Sequence, residues 1–306
     1  MEMDQLSDLP EKLTVGLVQI KVLPGDTDGN IDTNVSNMSQ LIDEAVAGGA
    51  EVVIIPEYWP FGFQAFERLN EIAEPVPGGR LSTFLIEKAT QHKIYLVGGT
   101  ICERGESGGL YNTNLFIAPD GSILGKRSKA NLYSQLGEDT VFTPGDGFSV
   151  CKTSFGNAGV MICYEGDFPE TPRLLKLMGA HILFLVAAYE SPLENWWQTL
   201  YNAHALTNAV WVIQVGLVGK FEWMGSQVHS FGMSRIIAPT GEIIASATHY
   251  PADTPLEKMR SEVKVVTLEY RKLLETARAN QGCLTLDRRP DLYGGLVQPK
   301  TQNDIM

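Results

Sequence analysis

The chain has 306 residues, 44% hydrophobic and 20% charged, a globular balance rather than a disordered one. Its net charge of −12 argues against a nucleic-acid partner and against an anionic membrane surface. Cys102, Cys151, Cys163 and Cys283 are too far apart for a C-x-x-C site or a disulfide framework, which fits buried or free thiols in a reducing cytosol.

The acidic start, Met1-Glu2-Met3-Asp4-Gln5, lacks the apolar core of a signal peptide, and no apolar run nears membrane-spanning length. A cytoplasmic location is the expectation. Residues 13–20 read as a buried strand. After a Gly/Asp/Asn-rich turn, Ile31, Val35, Met38, Ile42 and Ala45 recur at spacings of three and four, a helix face that Gly48 and Gly49 end. Val52-Val53-Ile54-Ile55 is a short apolar strand stopped by Pro56, so the unit is β-α-β with a parallel pair. Stretches 94–98, 112–118 and 123–127 read as strands, and Pro119-Asp120-Gly121 as a hairpin turn. Gly159-Val160-Met161-Ile162 is a strand, Pro169 opens a helix, Gly179-Ala180 ends it, and 181–186 is the next strand. The phrases Gly49-Ala50-Glu51-Val52 and Gly179-Ala180-His181-Ile182 point to one architectural unit used twice. A helix is predicted over 194–208 and a strand over 211–216. Strands at 231–237 and 243–247 flank Ala238-Pro239-Thr240-Gly241-Glu242; a strand at 262–268 and a helix at 270–278 follow. No low-complexity linker interrupts 1–306, so one domain is expected, with 281–306 an extended tail packed on something.

Cys163 lies where an apolar strand runs straight into a helix start, Gly159-Val160-Met161-Ile162-Cys163-Tyr164-Glu165-Gly166-Asp167-Phe168-Pro169-Glu170. A thiol facing a helix N-terminus is expected to ionise more readily than a free cysteine, which suggests a nucleophile. Glu57 follows a strand and Pro56, at the edge where open α/β sheets build their sites; an ordinary loop acid is the other reading. Lys129, in Gly125-Lys126-Arg127-Ser128-Lys129-Ala130-Asn131-Leu132, would alone be a solvated side chain, and Glu138 carries little signal alone. His92, His181, His204, His229 and His249 sit in no phrase that predicts reach to Cys163. Neither H-x-H nor H-E-x-x-H occurs, nor a Gly-rich nucleotide loop, so no metal or other cofactor is expected. Tyr58, Trp59, Phe61, Tyr164, Tyr189, Trp196 and Trp197 either line a pocket or fill the core; Tyr58 and Trp59 are best placed to touch substrate because they follow Glu57.

Taken in order, these motifs resemble the nitrilase superfamily of carbon–nitrogen hydrolases over residues 13–293. The correspondences are Ile54-Ile55-Pro56-Glu57, Lys129-Ala130-Asn131-Leu132, Glu138 ahead of Phe142 and Pro144-Gly145, and Gly159 to Glu170. Asn131 stands where many members carry His. The resemblance implies an α/β fold, a four-layer α-β-β-α sandwich with two mixed sheets, which the strand–helix pattern also fits. It implies homodimers or larger homo-oligomers joined through helices. The segment Arg288-Arg289-Pro290-Asp291-Leu292-Tyr293 either reaches over a partner or folds on its own chain. In the site it implies, Cys163 attacks, Lys129 stabilises the oxyanion, Glu57 moves protons, and Glu138 holds the lysine or the substrate amide. Tyr58, Trp59, Tyr164, Glu165 and Tyr189 are the expected substrate contacts.

The expected reaction is hydrolysis of a small-molecule amide with release of ammonia. A nitrilase is the alternative, because Tyr164 leans to the amidase side and Glu165 to the nitrilase side. An N-carbamoyl hydrolase is another, suggested by Pro169-Glu170-Thr171-Pro172-Arg173; but Gly166 and Asp167 stand where arginines would take a substrate carboxylate. A neutral or cationic amide is therefore expected. A non-catalytic binding protein keeping the fold is the reading from another class.

Overall fold

Alternation along the strands decides the layers of the computed structural model, which describes residues 6–223, 226–281 and 283–298. The first half runs β1 (Leu13–Gln19), α1 (Asp28–Ala47), β2 (Val52–Ile55), the single turn α2 (Leu69–Ile72), α3 (Arg80–His92), β3 (Tyr95–Gly98), β4 (Ile101–Arg104), β5 (Leu110–Ile117) and β6 (Ile123–Ser128). In β2, Val52 and Ile54 point into the cluster shared with Val160 and Phe184. Val53 and Ile55 point the other way, onto Met38 and Ile42 of α1 and Leu85 and Ala89 of α3. One strand thus buries both faces, which is why it reads as an unbroken apolar run. Each such side chain contributes about 1.5–3 kcal/mol when fully buried. Thr27 caps α1 by accepting the Asn30 N–H, and of the predicted face Ile31, Met38, Ile42 and Ala45 are buried and Val35 partly so.

The second half runs β7 (Val150–Thr153), β8 (Gly156–Ile162), α4 (Glu170–Leu177), β9 (Ile182–Ala187), α5 (Glu194–Asn208), β10 (Trp211–Gly216), β11 (Val218–Trp223), β12 (Ser226–Phe231), β13 (Arg235–Ile237), β14 (Ile243–Ser246), β15 (Glu262–Leu268), α6 (Tyr270–Gln281) and the short α7 (Cys283–Leu286). The first sheet has the order β15-β1-β2-β3-β5-β4, with β6 on β5; the second is β14-β13-β10-β9-β8-β7. Both are mixed: β1-β2-β3 and β8-β9-β10 are parallel and their neighbours antiparallel. Phe116 meets Phe184 edge-on between the sheets, 5.8 Å between centroids. Helices cover both outer faces, giving the expected four-layer α-β-β-α sandwich.

The expected pseudo-repeat is present down to its hydrogen bonds. Ala50 N–H returns to the Ala45 carbonyl at 3.1 Å, as Ala180 N–H does to Leu175. The next residues then pair with the preceding strand, Glu51 N–H with Thr14 O and His181 N–H with Asn157 O. The predicted strand 231–237 is corrected: Phe231 ends β12, and Gly232 and Met233 turn the chain with positive φ before β13 begins. In the expected tail, α7 lies against α5 and α6, while Leu286, Leu292, Leu296 and Val297 are exposed. Residues 282 and 299–306 of that tail lie outside the described residues.

Candidate active site

Three strands deliver Glu57, Lys129 and Cys163 from their carboxyl ends, and Glu138 opens a 3₁₀ turn. Pro56 cannot donate to the ladder, so β2 stops there. Tyr58 takes a left-handed backbone (φ 53°) with its N–H held by Thr100 Oγ1 at 3.1 Å. Beneath it Gly99 (φ 58°) approaches so closely that a Cβ would lie 2.0 Å from the Pro56 carbonyl oxygen. That turn drives Glu57 inward, where its side chain is fully buried. Glu57 Oε1 accepts from Asn112 Nδ2 at 2.8 Å and Lys129 Nζ at 3.1 Å; Oε2 accepts the Ala188 N–H at 3.0 Å. The last bond ties the end of β2 to the end of β9.

Lys129 follows β6. Its backbone is pinned on both sides, donating to Asn112 O and accepting from Gly145 N–H. Its ammonium reaches Glu138 Oε1 at 2.8 Å as well as Glu57. Glu138 also takes the Tyr58 hydroxyl on Oε1 and the Tyr133 N–H on Oε2, both at 2.7 Å. Cys163 follows β8 as the first residue of a one-turn 3₁₀ helix, Cys163–Asp167, in a left-handed conformation (φ 48°). A non-glycine residue held there is costly, and such strain collects at reactive centres. Its thiol lies close enough to the Glu57 carboxylate for each group to shift the other's protonation.

Electrostatics follow from this packing. Burial alone would lower the Lys129 pKa, but Glu138 and Glu57 outweigh it and raise it well above the ordinary lysine value. The group is a fixed ammonium. Burial raises the Glu57 pKa, Lys129 opposes and Glu138 adds to it. Burial and the Glu57 charge likewise push the Cys163 thiol well up, with Lys129 pulling against them. This corrects the expectation of a readily ionised thiol: a five-residue helical turn does not overcome desolvation beside two carboxylates. The arrangement suits a neutral thiol that passes its proton to Glu57 as it attacks.

The structure therefore brings Glu57, Lys129, Glu138 and Cys163 together. The expected substrate contacts divide. Tyr164 is partly exposed, with its ring 4.7 Å from Tyr133 and 4.9 Å from Phe168. Tyr58 is buried and reaches the cluster only through its hydroxyl. Trp59 faces the helix layer instead: it packs on Phe84 and donates Nε1–H to Gly98 O at 3.3 Å. Tyr189 spends its hydroxyl on Asp167. Glu165 is fully buried, and Arg127 and two backbone N–H groups take its carboxylate, so no oxygen faces a ligand. Of the remaining aromatics, Trp197 is core, donating to Met233 O, and Trp196 is exposed. His204 Nε2 meets the Gly166 carbonyl at 2.8 Å, supporting the turn from below.

Asn112, Tyr133 and Glu190 belong to this neighbourhood and were not singled out in the sequence. The one signal for Asn112 is two asparagines in an otherwise buried strand, Leu110–Ile117. Glu190 interacts electrostatically with Lys129, Glu57 and Glu138, and burial pushes its carboxyl up to about 7.

A carbon-nitrogen hydrolase family model matches residues 14–261. The omega-amidase NIT2 of Xenopus tropicalis is 34% identical over 260 residues, covering 80% of this chain and 90% of that protein. A nitrilase of Pyrococcus abyssi is 34% identical over 220 residues, 71% of this chain and 79% of that one. Among solved structures, a carbon-nitrogen hydrolase from Helicobacter pylori has the same fold, with a TM-score of 0.80 at 23% identity over 94% of this chain and 99% of that one.

Proposed function

The chain belongs to the carbon-nitrogen hydrolase family, and on that premise we propose that it is a thiol amidase releasing ammonia from a small linear amide. The observation that carries this reading is the Lys129 ammonium held between Glu57 and Glu138, with the Cys163 thiol electrostatically coupled to all three. Sγ attacks the amide carbon while its proton passes to Glu57. Lys129 and the Tyr164 N–H stabilise the oxyanion, where loss of one donor costs about 100–1,000-fold in turnover. As the tetrahedral adduct collapses, Glu57 returns the proton to the leaving nitrogen, and ammonia departs from a thioester. Glu57 then takes a proton from water, which attacks the thioester and frees the acid and the thiol. Glu138 holds Lys129; its own oxygens are already engaged by Tyr58, Tyr133 and that ammonium.

The substrate we assign is neutral or cationic. Asp167 and Glu190 stand near Lys129, and Arg127 is committed to Glu165 rather than free for a carboxylate. No metal or other cofactor enters any step. We further propose a cytoplasmic enzyme, one domain over 1–306, working as a homodimer or larger homo-oligomer. The exposed Leu174 and Leu177 of α4 and Trp196 of α5 support a helical contact between subunits.

Paired substrates test the reading: an amide, its nitrile, and an N-carbamoyl acid of similar size, with acid and ammonia measured. The amide is expected to turn over fastest. Faster conversion of the nitrile supports the nitrilase alternative, and faster conversion of the N-carbamoyl acid defeats the assigned substrate class. Cys163→Ala is expected to abolish turnover; a variant that still hydrolyses the amide rules out Cys163 as the nucleophile, and a wild type that converts none of the substrates favours a binding protein.

A further inference from the structure

We propose that Arg127 and Glu165 are a positioning pair: a buried ionic clamp that sets the separation of the Cys163 turn from the Lys129 loop. The proposal rests on the thiol-amidase reading for what the two loops do, but its geometry stands apart from that reading.

Glu165 lies two residues after Cys163, and Arg127 two residues before Lys129. The Glu165 carboxylate is shared between the two loops. Its Oε2 accepts the N–H of Ile162, the residue before Cys163, at 2.7 Å. Its Oε1 accepts the N–H of Ala130, the residue after Lys129, at 2.6 Å. One rigid three-atom group thus fixes the neighbours of nucleophile and ammonium to each other. Arg127 closes the clamp in a bidentate pair, with Nη1 2.9 Å from Oε1 and Nη2 on Oε2. The guanidinium is anchored in turn, with Nη1 reaching the Gly147 carbonyl at 3.3 Å and the plane lying 5.0 Å over the Phe148 ring.

The chemistry of the parts explains why this pair is used. Two N–H groups from separate loops need an acceptor with two oxygens at a fixed spacing, which a carboxylate supplies. A buried carboxylate needs a partner, and a planar fork matches it without rotating. Glutamine in its place keeps one acceptor oxygen and turns an NH₂ toward a backbone N–H or the guanidinium, so one tether is lost. Positional errors near 1 Å at a reacting pair cost on the order of 100-fold in rate.

The test uses the full-length protein with Glu165→Gln and the double variant Arg127→Met/Glu165→Leu. The double variant guards against simple misfolding, because buried ion pairs replaced by apolar side chains of similar volume commonly leave stability intact. Each is measured by thermal melting, by kcat and KM for a turned-over amide, and by the pH dependence of Cys163 alkylation with iodoacetamide. Expected are folded variants with kcat lowered by about 30–100-fold, KM within about threefold, and the alkylation profile moved by about half a pH unit or more. Folded variants with wild-type kcat and a superimposable alkylation profile would overturn the clamp and leave the pair a purely structural one. If the wild-type protein hydrolyses none of the amides, the functional reading fails instead. The alkylation profiles then still decide the clamp, a moved profile supporting it and a superimposable one overturning it.

Discussion

At the scale of single residues, the site is an arrangement of hydrogen-bond capacity around one ammonium. Asn112 donates to Glu57 Oε1 at 2.8 Å and to the Tyr58 hydroxyl at 2.9 Å, so one amide orients one of the lysine's partners and the hydroxyl that contacts the other. Asn112→Ala is expected to lower kcat by about tenfold with little change in KM, since it frees Glu57 to rotate while leaving the nucleophile. Steady-state kinetics at several pH values would show it, and an unchanged kcat would remove Asn112 from the account. Glu57→Gln should lower turnover by about 100–10,000-fold, and brief exposure to an amide panel followed by intact mass measurement should reveal any acyl adduct on Cys163. Glu190 gives a pH test. Its folded carboxyl titrates near 7 against an ordinary 4.5, chiefly through burial. The folded protein therefore keeps a proton that the unfolded chain releases between about pH 4.5 and 7, and stability falls as pH rises through that window. Glu190→Gln removes this loss. The variant should melt with wild type below pH 4.5 and later than wild type above pH 7, by on the order of 1–3 kcal/mol. Identical melting curves above pH 7 would contradict the placement of that carboxyl.

At the scale of elements, the strand ends do the positioning. Gly99→Ala is the sharpest test, because it asks a left-handed residue at φ 58° to carry a Cβ placed 2.0 Å from the Pro56 oxygen. Strain and overpacking together should cost about 2–5 kcal/mol, with activity lost even in the molecules that fold, because the Glu57 turn must move. A melting point within a degree of wild type would show that the turn relaxes freely. The same elements show what could be read from sequence. Strands β2 and β10 and helix α5 fall on the predicted residues; β2 and β10 are apolar runs that end at Pro56 and Gly216. Strands β4 and β7 and helix α3 were not foreseen. Ile101–Arg104 and Val150–Thr153 are four-residue strands whose pairing partners, not their own composition, make them strands. The pairing of β11 with β12 was not foreseen either.

At the scale of the whole molecule, the two pseudo-repeated halves face each other and leave helices outside. If α4 and α5 join subunits, Leu174→Asp/Leu177→Asp should convert an assembled species into monomers in sedimentation runs, with the melting transition retained; a monomeric wild type would refute the assembly. The linear chain by itself determined most of the strand and helix pattern, because apolar runs and Pro and Gly stops are local properties; the fold class and the grouping of Glu57, Lys129, Glu138 and Cys163 came from the resemblance of its motifs to a family, since Lys129 and Glu138 carry little signal alone. It could not determine what each polar side chain faces. Glu165 reads as a substrate contact from its place beside Cys163, yet it is spent on Arg127 and on two loops, and Trp59 turns to the helices. Only the tertiary structure decided the thiol's protonation, because desolvation and the charges of Glu57, Glu138 and Lys129 act through space, between residues separated by up to 106 positions (163 − 57) in sequence.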